Sequence, residues 1–441
     1  MPATTRSGTL PRPAFSYLLT FQSVYAIQIS KPLKRNTKKM LHRAESIPTH
    51  TKNEELDNTQ KVENMQKAQL LSDVIEEYLR PSLNDFADSP EHQDVIDKDE
   101  QYVHNLEKKF DSHELTLDNY ASTIIEALTQ FSINQIGLLN DDENGSYSAE
   151  SIWPTKFDDY ANGVDVVSYL HSTNFDFPIA FDVTTKKDDS LIRDKILVSS
   201  NDQTLGYATG LTDIRYCLDA NGNASWQKRV PRYCVGVDRR TIDNALAGLT
   251  IGEDQSAELD TETMALISFK TLYEAKAQNK LFLTPFLDEY QNGYTLSEED
   301  QKTLDQLGTL DGIFDAELQR LVHELPEDII RTLGPEGDGY SPQQVADLFA
   351  NERGPFGDRV FASIIRNTQK LQEELDESQF KFAHLKEMSL KSIHKKLTLT
   401  KGAANADKAY DKASNAYYID NQTETTKQKQ EKDDHARRRV A

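Results

Sequence analysis

Two aspartates occupy positions that solvation does not explain. Asp165 lies in the run VDVVSYL (Val164 to Leu170) and Asp182 in PIAFDVTT (Pro178 to Thr185), both apolar and β-branched. Aspartate is depleted in strands and rarely buried without a partner. Both runs read as strands, with a polar connection through Ser172, Thr173 and Asn174 between them. An antiparallel hairpin follows, with the two acids on neighbouring strands. Two carboxylates converging in this way can hold one Mg²⁺, which prefers oxygen ligands and keeps several waters. Such an ion activates water for phosphodiester hydrolysis and stabilises charge developing on the phosphate.

Other chemistries find less support. His113-Glu114 and His323-Glu324 each lack the second histidine of a zincin helix. In the loop 140–151, Asn140, Asp142, Asn144 and Gly145 match the start of a calcium loop. Its twelfth position is Ser151, however, and Glu150 falls one residue early, so a solvated turn is expected there. Residues 334–339 (GPEGDG) are not followed by the Gly-Lys-Ser/Thr of a phosphate loop. Cys217 and Cys234 are too few for a disulfide scaffold or a four-thiolate zinc site, which suggests a reducing, cytoplasmic setting.

The elements that must position the acids read as follows. A helix is expected over Met65 to Arg80, closed by Pro81, and a second over Gln93 to Phe110. A third begins near Asp118; Tyr120, Ile124, Leu128 and Phe131 form its buried stripe, and Glu126 lies within it. After the hairpin come a short helix (188–198), a strand before Asn221-Gly222, and the near-continuous apolar run Arg232 to Val237 expected in the same sheet. Asp238 or Thr241 caps the next helix. The expected class is α+β, a mixed sheet covered by helices over roughly 118–250. Residues 66–117 form a helical lead-in and 255–400 a helical region, in which Ser297 and Ser341-Pro342 mark helix starts and 366–399 reads as one long surface helix.

This order of helix, strands and acids resembles the PD-(D/E)XK nuclease-like superfamily over about 130 residues. In that family an early helix often supplies a Glu, one strand an Asp, and the next strand Asp/Glu-x-Lys. The corresponding residues here are Glu126, Asp165 in NGVDVV and Asp182 in AFDVT. The resemblance implies Mg²⁺ held by Asp165 and Asp182, with nucleic acid as substrate. The family's lysine is replaced by Thr184. Strand alternation would bring Lys186 to the same face if the strand continued, and Lys195 on the next helix is the second candidate.

Charge bears on both readings. Against 50 Lys and Arg stand 72 Asp and Glu, a net charge of −22. Such a chain repels phosphate backbones unless a local basic face overrides its field. Lys186, Lys187, Arg193, Lys195, Lys228, Arg229, Arg232, Arg239 and Arg240 could supply that face. The alternative is a non-catalytic scaffold with an inactivated nuclease-like core, binding a protein partner through 255–400. In that case Asp165 is a turn cap, or an ion-pair partner of Arg193 or Lys195.

The ends differ from the middle. Residues 1–39 are basic and contain no acid, and their apolar run Ala14 to Ile29 is interrupted by Gln22 and Gln28. Stable membrane insertion is not expected from so short a run. Residues 1–65 are expected to be disordered, with Met40 or Met65 a candidate true start, and 401–441 to form a solvated tail.

Overall fold

The computed structural model describes most of residues 52–391. It breaks at 87–89, 111–116, 136, 142–145, 198–209, 219–223, 252–256, 326–341 and 351–356, and at a few scattered positions. The expectations for 1–39, Asn221-Gly222, GPEGDG and 401–441 lie outside the described residues. Among the described residues no helix is long and apolar enough to cross a membrane.

A five-stranded mixed sheet organises the chain: β1 (Tyr147–Ile152), β2 (Val166–Ser172), β3 (Asp176–Thr184), β4 (Leu211–Leu218) and β5 (Ala224–Gly236), in the order β1-β2-β3-β5-β4. The expected hairpin is present, with Val166 opposite Phe181 and Tyr169 opposite Pro178. β3 then pairs in parallel with β5, Asp182 facing Cys234. Every residue of β3 after Asp176 is buried. That burial accounts for a continuous apolar run instead of alternation.

β1 corrects the expected solvated turn at 140–151. Its sequence YSAESI is polar because it is an edge strand, paired with β2 on one side and with side chains such as Asn134 on the other, and half buried along most of its length. The two pieces SWQKRV and PRYCVGVD form one strand. Its pairing with β4 is irregular, and Arg229 takes a positive φ of 57° next to these shifts.

Helices cover one face. α1 (Lys52–Val74) is helical from Lys52, so the segment 52–65 is structured instead of disordered, and Asn64 and Lys67 bond backbone carbonyls of Asp243 and Leu246. α2 (Pro90–Phe110) and α3 (Leu117–Gln135) follow, then α4 (Asp189–Leu197) and α5 (Arg239–Gly248), whose cap Asp238 accepts from the Thr241 N–H. The long α6 (Thr261–Gln291) and α7 (Glu298–Val322, capped by Ser297) precede α8 (Pro342–Ala350) and α9 (Arg359–Asp376).

The surface helix expected over 366–399 is instead α9. It starts at Arg359, ends at Asp376, and buries Val360, Phe361, Ile364, Ile365, Leu371 and Leu375. One apolar cluster joins β3 and β5 to α3, α6, α7 and α9, so the C-terminal helices share their core with the sheet. The opposite face carries a smaller cluster made by strand residues and Val164.

α6 also completes β5. β4 stops pairing at Pro231 and one more bond runs from Arg232 N to Gly210 O, which would leave the N–H groups of Cys234 and Gly236 buried without partners. Gln278 accepts from Cys234 N (2.8 Å) and donates to Cys234 O (2.7 Å), and Glu274 accepts from Gly236 N (3.0 Å). Side chains one helical turn apart thus replace a strand, which leaves no bare edge at this end.

Candidate functional site

The site forms where β2 and β3 separate. Gly163 adopts a left-handed conformation (φ 64°), and a Cβ there would lie 3.4 Å from Arg232 Nη1 and 3.5 Å from Asp182 Oδ2. The chain therefore turns away from β3 after a last backbone bond, Asp165 N to Phe181 O at 2.9 Å. The next N–H of β3, on Val183, donates to the Asp165 carboxylate at 2.5 Å. Asp165 thus takes over from a backbone carbonyl at the end of the ladder.

Asp182 is buried beside it. One of its oxygens accepts from Lys195 Nζ on α4 and the other from Arg232 Nη1 on β5. Lys195 Nζ also donates to the Val183 carbonyl at 3.1 Å. Of the two candidate lysines the structure brings Lys195 to the acids. Lys186 is exposed, lies past the end of β3 at Thr184, and makes no bond to them; its backbone N–H donates to Thr184 Oγ1 at 3.3 Å. The ion pair between Asp165 and Arg193 does not form, because Arg193 pairs with Glu374 on α9 (2.6 Å).

Glu126, buried on α3, belongs to the same cluster through a residue the sequence did not suggest. Arg80, at the end of the lead-in helix, donates to Glu126 (3.0 Å), Asp159 (3.0 Å) and Glu76 (3.1 Å), and its side chain is 4% exposed. A π turn over Ile75–Leu79 puts Glu76 and Arg80 within bonding reach of each other. Asp159 is presented by a second π turn, Asp158–Asn162. Its neighbour Asp158 anchors that turn to β4 by accepting from Arg215 N (2.8 Å) and Tyr216 N (3.0 Å). π turns are often found at functional sites.

The electrostatics follow from the head count. Glu126, Asp159, Asp165 and Asp182 face Arg80, Lys195 and Arg232, one more acid than base. Burial raises Asp165 well above the usual carboxylate range, and Asp159, Glu126 and Asp182 add to it against Lys195. Burial also pushes Glu126 up to about 8, although Arg80 opposes it. Asp159 is raised by burial in the same way and is lowered by Arg80 and by its hydrogen bond with Asp165. Lys195 is held charged: burial works against the ammonium, but Asp182 and Asp165 outweigh it. The cluster is crowded with negative charge that protons or a cation must offset.

Asp165, Asp182 and the Val183 carbonyl are hard oxygen donors of the type Mg²⁺ takes, and that ion commonly uses one or two carboxylates with water for the rest. Lys195 Nζ already bridges two of these three groups, so a positive charge is accommodated there. No three Asp, Glu, His or Cys side chains among the described residues are grouped to hold a metal. Asp165 and Asp182 are the two carboxylates that could hold an ion, and both Asp182 oxygens are bonded to Lys195 and Arg232.

The expected basic face is largely spent internally. Arg193, Lys195, Arg229, Arg232 and Arg239 each pair with an acid, and Lys186, Lys187 and Lys228 are exposed. Comparison with protein-family models, with curated proteins and with solved structures yields no match.

Proposed function

We propose that this protein is a metal-dependent phosphodiesterase of PD-(D/E)XK nuclease-like type, acting on nucleic acid. The observation that carries the reading is the convergence of Glu126, Asp182 and Lys195 from three elements, and of Asp165 from the turn before β2, on one acid-rich cluster. Asp165, Asp182 and the Val183 carbonyl would hold Mg²⁺, which supplies Lewis-acid polarisation of a phosphoryl oxygen and a more acidic bound water. Lys195 keeps its proton on Nζ and places positive charge where the phosphate gains negative charge. Arg80 holds Glu126 and Asp159 in place. Glu126, with its proton equilibrium moved to about 8, can exchange a proton near neutral pH.

The test is hydrolysis of single-stranded and duplex DNA and RNA with Mg²⁺ or Mn²⁺, on wild type and Asp165→Asn. Metal-dependent cleavage that falls at least about 100-fold in the variant is expected, the scale of losing a charge-stabilising group. Cleavage unchanged in Asp165→Asn, or none in wild type at millimolar metal, would end the reading.

One observation favours the scaffold reading: Lys195 and Arg232 already engage both oxygens of Asp182. Under that reading the cluster is internally neutralised and the helices over 255–400 serve a protein partner. Asp165→Asn would then leave function intact.

A further inference from the structure

We infer that Trp226 and Lys228 form a stacking platform for one unpaired base of a single-stranded nucleic acid, beside the turn that carries Asp159. The inference names the form of substrate and rests on the nucleic-acid reading above.

Of the two tryptophans, Trp153 is 3% exposed and Trp226 is 47% exposed. Burying an indole is strongly favourable, so an indole left half exposed on β5, where that strand pairs with β4, needs a reason. The flanking groups supply one. Lys228 Nζ stands 5.0 Å from the Trp226 ring centre and the Arg215 guanidinium 5.3 Å from it. Lys228 is exposed and makes no ion pair with a described residue, so it can exchange the ring for a phosphate at little cost. Exposed aromatics interleaved with cations are how proteins grip single strands without reading sequence. The ring takes a base face and the cation takes the backbone. A duplex hides its base faces and cannot use the ring.

The platform is joined to the candidate site through contacts. Arg215 also lies over the Phe157 ring at 4.7 Å and pairs with Asp99 at 2.6 Å. Tyr102, itself 38% exposed, meets the edge of Phe157 at 5.9 Å. Phe157 immediately precedes Asp158 and Asp159. The backbone N–H groups of Arg215 and Tyr216 hold Asp158, so β4, the π turn and the aromatic strip form one connected piece. A strand seated on Trp226 therefore runs along the element that presents an acid of the site.

Because Trp153 is buried, quenching by an added oligonucleotide is assigned to Trp226, and Trp226→Phe should abolish it. The full chain is titrated with short oligo(dT), and with the same length as a duplex, at low salt in EDTA so that nothing can be hydrolysed. Oligo(dT) should quench the exposed tryptophan and the duplex should not. Trp226→Ala should weaken binding, followed by anisotropy of labelled oligo(dT), about tenfold or more, and Trp226→Phe should recover part of it. Lys228→Ala should lower the salt dependence by about 0.7 in log–log slope, the share of one phosphate contact on a single strand.

Equal affinity for the duplex, no quenching, or an unchanged Kd in Trp226→Ala would overturn the inference. Binding is read without metal, so its failure is separate from that of the catalytic reading. Stacking at Trp226 with no hydrolysis leaves the platform and removes the nuclease. Hydrolysis with Trp226→Ala binding as wild type does the reverse.

Discussion

Two buried ion clusters lie near β5, and they differ in how directly their charges are met. In one, Lys270 of α6 and Asp358 at the start of α9 are 1% and 0% exposed and meet at 2.9 Å. Asp358 Oδ1 also accepts from the N–H groups of Asp238, Val360 and Phe361, and Oδ2 from Thr241 Oγ1. One cation meets one anion in direct contact and each Asp358 oxygen is bonded, with the buried Glu274 on the same helix as Lys270 left to hold a proton. In the other, four acids share three cations, and the cluster keeps raised proton affinities. The first arrangement is how a buried pair locks helices together. In the second, protons held on the raised carboxyls offset the excess, and a bound cation is the alternative on which the proposed function rests.

The comparison breaks most visibly at Lys270. Lys270→Met leaves Asp358 buried without its cation, and about 3–5 kcal/mol of stability should be lost. The check is urea unfolding of variant and wild type. Binding of metal or of oligo(dT), measured well below the transition, should not change. A loss under about 1 kcal/mol would mean the pair is less committed than its geometry suggests.

The acid-rich cluster should respond in the opposite direction. Asp165→Asn keeps an oxygen to accept the Val183 N–H while removing the carboxylate most crowded by its neighbours. Without metal, the variant should be more stable than wild type by about 0.5–2 kcal/mol, the usual gain when a strained functional group is neutralised. Wild type should gain melting temperature with millimolar Mg²⁺ or Mn²⁺ by mass action, and the variant should not. A destabilised Asp165→Asn would place Asp165 with Asp358, as a structural acid.

The sequence exposes one half of this contrast better than the other. Asp165, Asp182 and the hairpin were legible because lone acids in apolar β-branched runs are rare and strand period is local. Lys195 was legible as a helical lysine shortly after the second acid. Arg80 was not, since it contacts Glu126 across 46 residues of chain and nothing local distinguishes it from any lysine or arginine at a helix end. Asp159 was masked by Asp158, its equal in type, which serves the turn instead. β1 was missed because an edge strand needs few apolar residues, and α9 began early because its first turns, RVFASII, lie against other elements. The Lys270–Asp358 pair joins residues 88 apart and left no trace in spacing.

The smallest effect concerns Glu274, which lies between the two clusters on α6. Its Oε2 accepts from Gly236 N, while its Oε1 is buried without a hydrogen bond among the described residues. Burial raises its proton affinity well above the ordinary value of 4.5; the Gly236 N–H opposes this, Asp358 adds to it, and Lys270 opposes it. A carboxyl raised in this way binds its proton more tightly folded than unfolded. Above the unfolded value, folding takes up a proton, so the contribution to stability falls as pH rises from about 4.5 toward the folded value. Glu274→Gln retains an oxygen for the Gly236 N–H and abolishes the uptake. Its melting temperature should exceed that of wild type by roughly 2–4 °C at neutral pH and converge with it well below pH 4.5, where Glu274 is protonated in both states. The remaining slope comes from the other raised carboxyls, Glu126, Asp159 and Asp165 together with Glu150, Asp158 and Glu317, and Mg²⁺ should flatten the share of the first three in Glu274→Gln as in wild type. If the two melting profiles run parallel from pH 4.5 to 8, Glu274 is already ionised in the fold, and the charge balance on that side of β5 has to be redrawn.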